Sequence, residues 1–157
     1  MKPTFFKIIS LFLLVFAAVT GIYLNYIDSP LKNPTKKCNL TLTQECIVKE
    51  HGQQVSVQFL QKIEVEEQIS LSITVPSNTE IKQMWVQGIN MYMGKNAVIV
   101  ESVYAKEMKK VYNAYLFLGS CSEPAMKWRL IIQTVDNNGL EQSWLFNFAT
   151  NRNKKAE

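Results

Sequence analysis

The chain has 157 residues, 47% of them hydrophobic, with a formal net charge of +4, three cysteines and one histidine. That length holds one domain plus a short segment. From Asp28 onward fifteen basic residues face thirteen acidic ones without forming a basic stripe, which excludes a nucleic-acid footprint.

The N-terminus carries the strongest signal. Ile8 to Leu24 is an apolar run of 17 residues without a charge. A helix that crosses a bilayer needs about 20 predominantly apolar residues, within a range of roughly 17–25. In lipid, a helix satisfies every backbone group internally. Residues 1–27 therefore read as an N-terminal transmembrane anchor. The rival is a cleaved signal peptide, but its apolar region usually runs about 7–15 residues. Ala18-Val19-Thr20 also matches a small-residue cleavage site only loosely. Tyr23 and Tyr26 stand where an interfacial aromatic belt is expected. A short tail bearing Lys2 and Lys7 ahead of the run resembles a signal-anchor. The expected arrangement is a single-pass inner-membrane protein with its C-terminal domain in the periplasm. Residues 28–37 form a polar Pro/Lys/Asn linker, 38–150 the domain, and 151–157 a polar tail.

The domain reads as β throughout. Val55, Val57 and Phe59 alternate with polar residues, as do Ile69, Leu71, Ile73 and Val75. The same period of two runs through Met126–Thr134 and Trp144–Phe148. Such alternation marks strands with one buried face. Further strands are expected near Cys46–Lys49, Ile81–Val86, Ile89–Met93, Ala97–Val103 and Val111–Leu118. Lys106–Lys110 reads as a connection, although Tyr104, Met108, Val111 and Tyr115 fall at helical spacing. Asp136-Asn137-Asn138-Gly139 is a hairpin turn, since Asn and Gly accept positive φ. Pro76-Ser77-Asn78 is another turn. Seven or eight short strands separated by turns predict an immunoglobulin-like β-sandwich. Trp85, Trp128 and Trp144 each belong to an alternating apolar face and are read as core.

The cysteines are Cys38, Cys46 and Cys121. A Cys38–Cys46 disulfide would tie the start of the domain and contribute about 2–3 kcal/mol. Pairing of either with Cys121 is one alternative, because spacing does not choose among the three connectivities; three reduced, partly buried cysteines in the cytoplasm are the other. A disulfide fits a domain outside the cytoplasm.

Two segments carry suggestive chemistry. In Gly88-Ile-Asn-Met91-Tyr-Met93-Gly94, the two methionines lie two apart and would share one face of a strand. In Gly119-Ser-Cys121-Ser-Glu-Pro-Ala-Met126, a thiol and a thioether flank a Pro-containing turn. If the segments adjoin, Cys121, Met126, Met91 and Met93 could converge, and soft sulfur ligands select Cu(I). Met84 and His51 could add to such a site. The competing reading is structural, because methionine is a flexible core filler. His51, between Glu50 and Gly52, reads as a solvated turn residue.

These residues, with the anchor and the sandwich, resemble the small bacterial accessory proteins of the FixH and YtkA type. The resemblance implies copper handling and a part in the assembly of haem–copper oxidases.

No catalytic set is legible. Cys121 with His51 is the one thiol–imidazole pair, and nothing in the sequence orients the imidazole. Glu64, Glu66 and Glu67 read as a solvated edge that discourages strand aggregation. The expectation is a non-enzymatic accessory protein. One reading binds copper(I) and passes it to a membrane partner. The other is a metal-free module that docks on another envelope or inner-membrane protein.

Overall fold

The computed structural model describes residues 45–151, together with Leu40, Leu13, Leu14, Phe16, Val19 and Thr20. The chain divides into two units, Met1–Pro34 and Thr35–Glu157. In the first, the described residues are α-helical, and Thr20 Oγ1 donates to the Phe16 carbonyl at 2.8 Å. That back-bond one turn earlier is a habit of helical threonine. Among the described residues no helix is long and apolar enough to cross a membrane. The rest of the expected anchor, the linker 28–37, Cys38 and the tail beyond Asn151 lie outside the described residues.

The second unit is mainly β. Its strands are β1 (Cys46–Glu50), β2 (Gln53–Phe59), β3 (Gln68–Pro76), β4 (Thr79–Gly88) and β5 (Lys95–Ala97). They continue with β6 (Ile99–Lys106), β7 (Lys109–Phe117), β8 (Ala125–Asp136) and β9 (Glu141–Asn151). Two antiparallel sheets result, ordered β1-β2-β3-β7-β6 and β5-β4-β8-β9. The period-two residues of β2, β3, β8 and β9 point into one shared core. Val57, Ile73 and Leu116 of one sheet and Trp128, Leu130, Trp144 and Phe146 of the other are fully buried. Phe59 meets Phe148 edge-on across the sheets at 5.2 Å, and Phe148 stacks on Trp128 at 6.5 Å. Such aromatic pairs contribute about 0.5–1.5 kcal/mol beyond the area they bury.

Turn chemistry sets the connections. His51 and Gly52 both take positive φ, +49° and +76°, the requirement of a type I′ hairpin. His51 is exposed there, as expected. The Asp136 turn forms as the sequence implies. Asp136 Oδ1 accepts from the amides of Asn138 (2.8 Å) and Leu140 (2.9 Å), and Gly139 has φ +79°.

Several expectations are corrected. Among the described residues there are nine strands, not seven or eight. Ile89–Met93 is not a strand but a loop, because side-chain hydrogen bonds described below replace its ladder. Ala97–Val103 is split at Val98 between β5 and β6, which lie in different sheets. The connection expected over Lys106–Lys110 shrinks to Glu107-Met108, and the helical spacing around it belongs to two paired strands. Trp85 is not core. Met84 and Val86 are the buried neighbours in β4, and Trp85 faces outward on the four-stranded sheet.

Glu107 holds φ +55° at an exposed two-residue turn, a conformation that costs a residue with a Cβ about 1 kcal/mol. Glu107→Gly is expected to raise unfolding stability by about 0.5–1 kcal/mol, read from urea denaturation midpoints. An unchanged or lower midpoint would show that the strain is already relieved.

Candidate functional site

One end of the sandwich gathers the loops that carry the sulfur residues. After β4, Gly88 opens the 89–94 loop. Asn90 clamps this loop to the start of β8. Its Nδ2 donates to the Ala125 carbonyl (3.0 Å), and its Oδ1 accepts from the Lys127 amide (2.8 Å). The Ile89 amide donates to the Lys127 carbonyl at 2.8 Å. This side-chain bracket takes up backbone groups that a sheet would otherwise pair.

The bracket brings the two sulfur-bearing segments together. A Cβ placed on Gly88 would stand 2.3 Å from Met126 Cε and 2.0 Å from the Met91 carbonyl oxygen. At Gly119 the nearest atom to such a Cβ is Met93 Cε, at 3.8 Å. Met126 is 2% exposed and belongs to the core, while Met91, Met93 and Cys121 are partly buried against it. Cys121 keeps its thiol, and its Sγ donates to the Glu123 carbonyl at 3.5 Å. Cys46 is disulfide-bonded, which removes the pairings through Cys121. Met84 is a core residue of β4, and His51 sits at the far end of β2.

A cleft of about 610 Å³ opens between the 61–67 loop, the 118–125 loop and the end of β9. That volume is within the range of small-ligand sites, roughly 300–1,000 Å³. Its floor is apolar, with Met126, Trp128, Ile63 and Val65. Its rim is acidic, with Glu64, Glu66, Glu67 and Glu123. Lys62 pairs with Glu64 at 2.8 Å. The 61–67 loop is fixed by the Glu66 amide donating to the Leu118 carbonyl at 2.8 Å, with Glu66 at φ +64°. Cys121 and Met126 line this cleft, whereas Met91 and Met93 do not. Cys121 and Met126 therefore open on the cleft, while the loop that carries Met91 and Met93 packs beside it without lining it. Among the described residues no group of three or more His, Cys, Asp and Glu side chains is arranged to hold a metal.

Sequence reasoning missed the cleft because its walls come from three separated loops. It also did not single out β6 as an open edge. Every residue of that strand is exposed, and among the described residues β6 hydrogen-bonds only to β7, at the sheet edge. Its mixture of Ile, Val and Tyr at both parities was the available signal.

No family model matches the chain, and no curated protein matches it. Among solved structures, the crystal structure of a DUF4426 family protein from Pseudomonas aeruginosa PAO1 is similar to it. The two share 10% identity over 68% of this chain and 94% of that one, with a TM-score of 0.49. That likeness carries no functional argument.

Proposed function

We propose that the chain is a membrane-anchored periplasmic accessory protein whose domain docks on another envelope protein through the open edge of β6. The domain reads as immunoglobulin-like. With β2 taken as the first strand, β2-β3-β7-β6 follows the order A-B-E-D, and β4-β8-β9 follows C-F-G with β5 added beside β4. The observation that carries the docking reading is the exposure along β6. Ile99 (46%), Val100 (41%), Val103 (51%) and Tyr104 (48%) are exposed on a strand with one neighbour among the described residues. An open edge offers unpaired backbone donors and acceptors to an extended segment, and apolar side chains on both parities give it something to grip. The register shift between Val100 and Ser102, at Glu101, interrupts the edge and limits self-association.

The second reading is copper(I) held from the cleft by Cys121 and Met126. It is favoured by their shared position on the cleft and by the methionine-bearing loop clamped beside them. The acidic rim would attract the cation.

One experiment separates the two. A photo-cross-linking residue at Tyr104 of the full-length protein, activated in native membranes, is expected to trap a discrete partner, and one at Leu140 is not. The edge variant Ile99→Lys/Tyr104→Lys is expected to abolish the partner's co-purification, while chelation and Cys121→Ser leave it intact. Loss of the complex on chelation supports copper instead. Survival of the complex in the edge variant overturns docking through β6.

A further inference from the structure

The outer face of the five-stranded sheet is used by neither reading. The strand registers align its side chains in rows across the strands. Leu60, Tyr115 and Ile99 form one apolar row, with Ser70 between the first two. Ile47, Val111 and Tyr104 form another, with Ser56 and Thr74 between the first two. Midway between these rows lies an uncharged polar row of Gln58, Ser72, Asn113 and Ser102. Phe117 stands beyond the first apolar row, at the end of the sheet that carries the 61–67 loop. Lys49, Lys109 and Lys106 stand in a row beyond the second, at the opposite end. Glu101, the extra residue at the register shift of β6, belongs to no row.

Leu60, Phe117, Ile99, Ile47 and Tyr104 are all exposed. Monomeric soluble proteins rarely leave so many large apolar side chains together on one face, and such a patch marks an interaction surface. Neighbouring strands lie about 4.7–4.9 Å apart, and same-face residues lie roughly 6.7 Å apart along a strand. Five strands and five rows therefore cover about 500 Å² of each copy. A face-to-face pair removes on the order of 1,000 Å², the lower end of specific interfaces.

The order of the rows selects the partner. Apolar, polar, apolar reads the same from either end of the strands. A second copy turned end for end, about a twofold axis along the polar row, sets each apolar row on the other. It also sets Phe117 against the lysine row, where a cation meets an aromatic ring. Side chains on such an axis meet their own counterparts. A carboxylate or an ammonium there would repel itself, whereas an amide pairs with itself and a hydroxyl both donates and accepts. Gln58, Ser72, Asn113 and Ser102 are all of the second kind, and Asn113 Nδ2 donates to Ser102 Oγ at 3.1 Å. An axis along the strands is disfavoured, because it would stack the three lysines of one copy on those of the other. Among the described residues Lys49, Lys106 and Lys109 have no ion-pair partner to neutralise them. The turned copy brings them instead to the end that carries the 61–67 loop, where Glu64, Glu66 and Glu67 outweigh Lys62. An anionic lipid surface would suit the lysine end and be repelled by the other. We infer that two copies of this chain pack face to face through the outer side of the five-stranded sheet, around a twofold axis along Gln58, Ser72, Asn113 and Ser102. The backbone edge of β6 stays open in that arrangement, so the dimer does not rest on the docking reading.

The test uses the full-length protein in neutral detergent. Sedimentation is expected to show a monomer–dimer equilibrium that shifts toward dimer with concentration. Ser72→Arg, on the middle strand and at the axis, is expected to weaken the dimer at least about tenfold, because two guanidinium groups then face each other. Ser72→Asp should do the same, and an equimolar mixture of the two should recover the parent's association. That recovery also shows that both variants fold. A dimer held by the N-terminal segment would ignore both changes. In a Cys121→Ser background, a short bis-maleimide should join Ser72→Cys to itself, since packed sheets lie about 10 Å apart. Lys109→Cys and Phe117→Cys should each join poorly alone and efficiently when mixed. None of these variants lies in β6, so failure here leaves docking through that edge standing. A monomer at every concentration overturns the inference, whether or not the face then takes lipid or another protein. So does a dimer that Ser72→Arg leaves intact with an unaltered melting temperature, a mixture that does not recover, or Lys109→Cys joining itself as readily as it joins Phe117→Cys.

Discussion

Gly88→Ala is expected to destabilise the domain by about 3 kcal/mol, lowering its melting temperature by on the order of 10 °C. The added methyl would stand 2.0 Å from the Met91 carbonyl oxygen and 2.3 Å from Met126 Cε, far inside any allowed contact. The backbone neighbour cannot retreat cheaply, and the methionine end must turn within a packed core. The Met91 carbonyl is backbone in a loop held by Asn90 at both Ala125 and Lys127. Met126 is 2% exposed in a core packed as densely as an organic crystal. The cost is steric, since Gly88 is not among the residues at positive φ. Two controls isolate that cause. Gly119→Ala places its methyl 3.8 Å from Met93 Cε, an ordinary contact, and should cost less than about 0.5 kcal/mol. Gly94→Ala meets nothing within 4 Å but must hold φ +70°, so backbone strain alone should cost about 1 kcal/mol. Thermal unfolding of the three variants orders them Gly88, Gly94, Gly119. If Gly88→Ala melts with Gly119→Ala, the loop yields freely and the sulfur segments are not held together.

That contact also marks where the sequence stops being readable. β2, β3, β8 and β9 are legible because each buries one face, and a period of two is the trace of that burial. Ile89–Met93 carries the same apolar alternation, yet it is a loop. What decides the matter is the Asn90 side chain, which takes the Ala125 carbonyl and Lys127 amide for itself, 35 and 37 residues away. Pairing at that distance leaves no local pattern. Trp85 is misread for a related reason. Its neighbours Met84 and Val86 are both apolar, so composition alone does not say which parity faces the core. The register shift between Ile81 and Gln83 fixes the choice. From the sequence, Cys121 and Met126 approach Met91 and Met93 only on the condition that the two segments adjoin, and the Asn90 bracket meets that condition. The cleft that admits only the first pair depends on Ile63, Val65 and Thr150, which no spacing connects to them.

The two buried tryptophans set up the second large effect. Trp144 Nε1 donates to Thr134 Oγ1 at 2.9 Å, and Trp128 Nε1 donates to Thr150 Oγ1 at 3.0 Å. Both indoles are fully buried. Thr134→Val keeps the shape and removes the acceptor, leaving an indole N–H in the core with no water to turn to. It is expected to cost about 2–3 kcal/mol in urea unfolding. Trp144→Phe removes the donor and should cost a similar amount through lost packing, about 2–3 kcal/mol. In the double variant no orphaned N–H remains. Its cost should therefore fall short of the sum by about 1–2 kcal/mol, the coupling of the pair. The second pair supplies the contrast, because Thr150 and Trp128 line the cleft. Water entering there can accept the indole proton once the hydroxyl is gone. Thr150→Val should then cost less than about 1 kcal/mol, although the bond it breaks has the same chemistry and almost the same length. Equal losses at Thr134 and Thr150 would mean that the cleft does not admit water to its floor, and with it would go the case that Met126 and Cys121 are reachable from solvent. A smaller loss at Thr150 ties the stability of the core at this end to the same opening through which a ligand would reach the sulfurs.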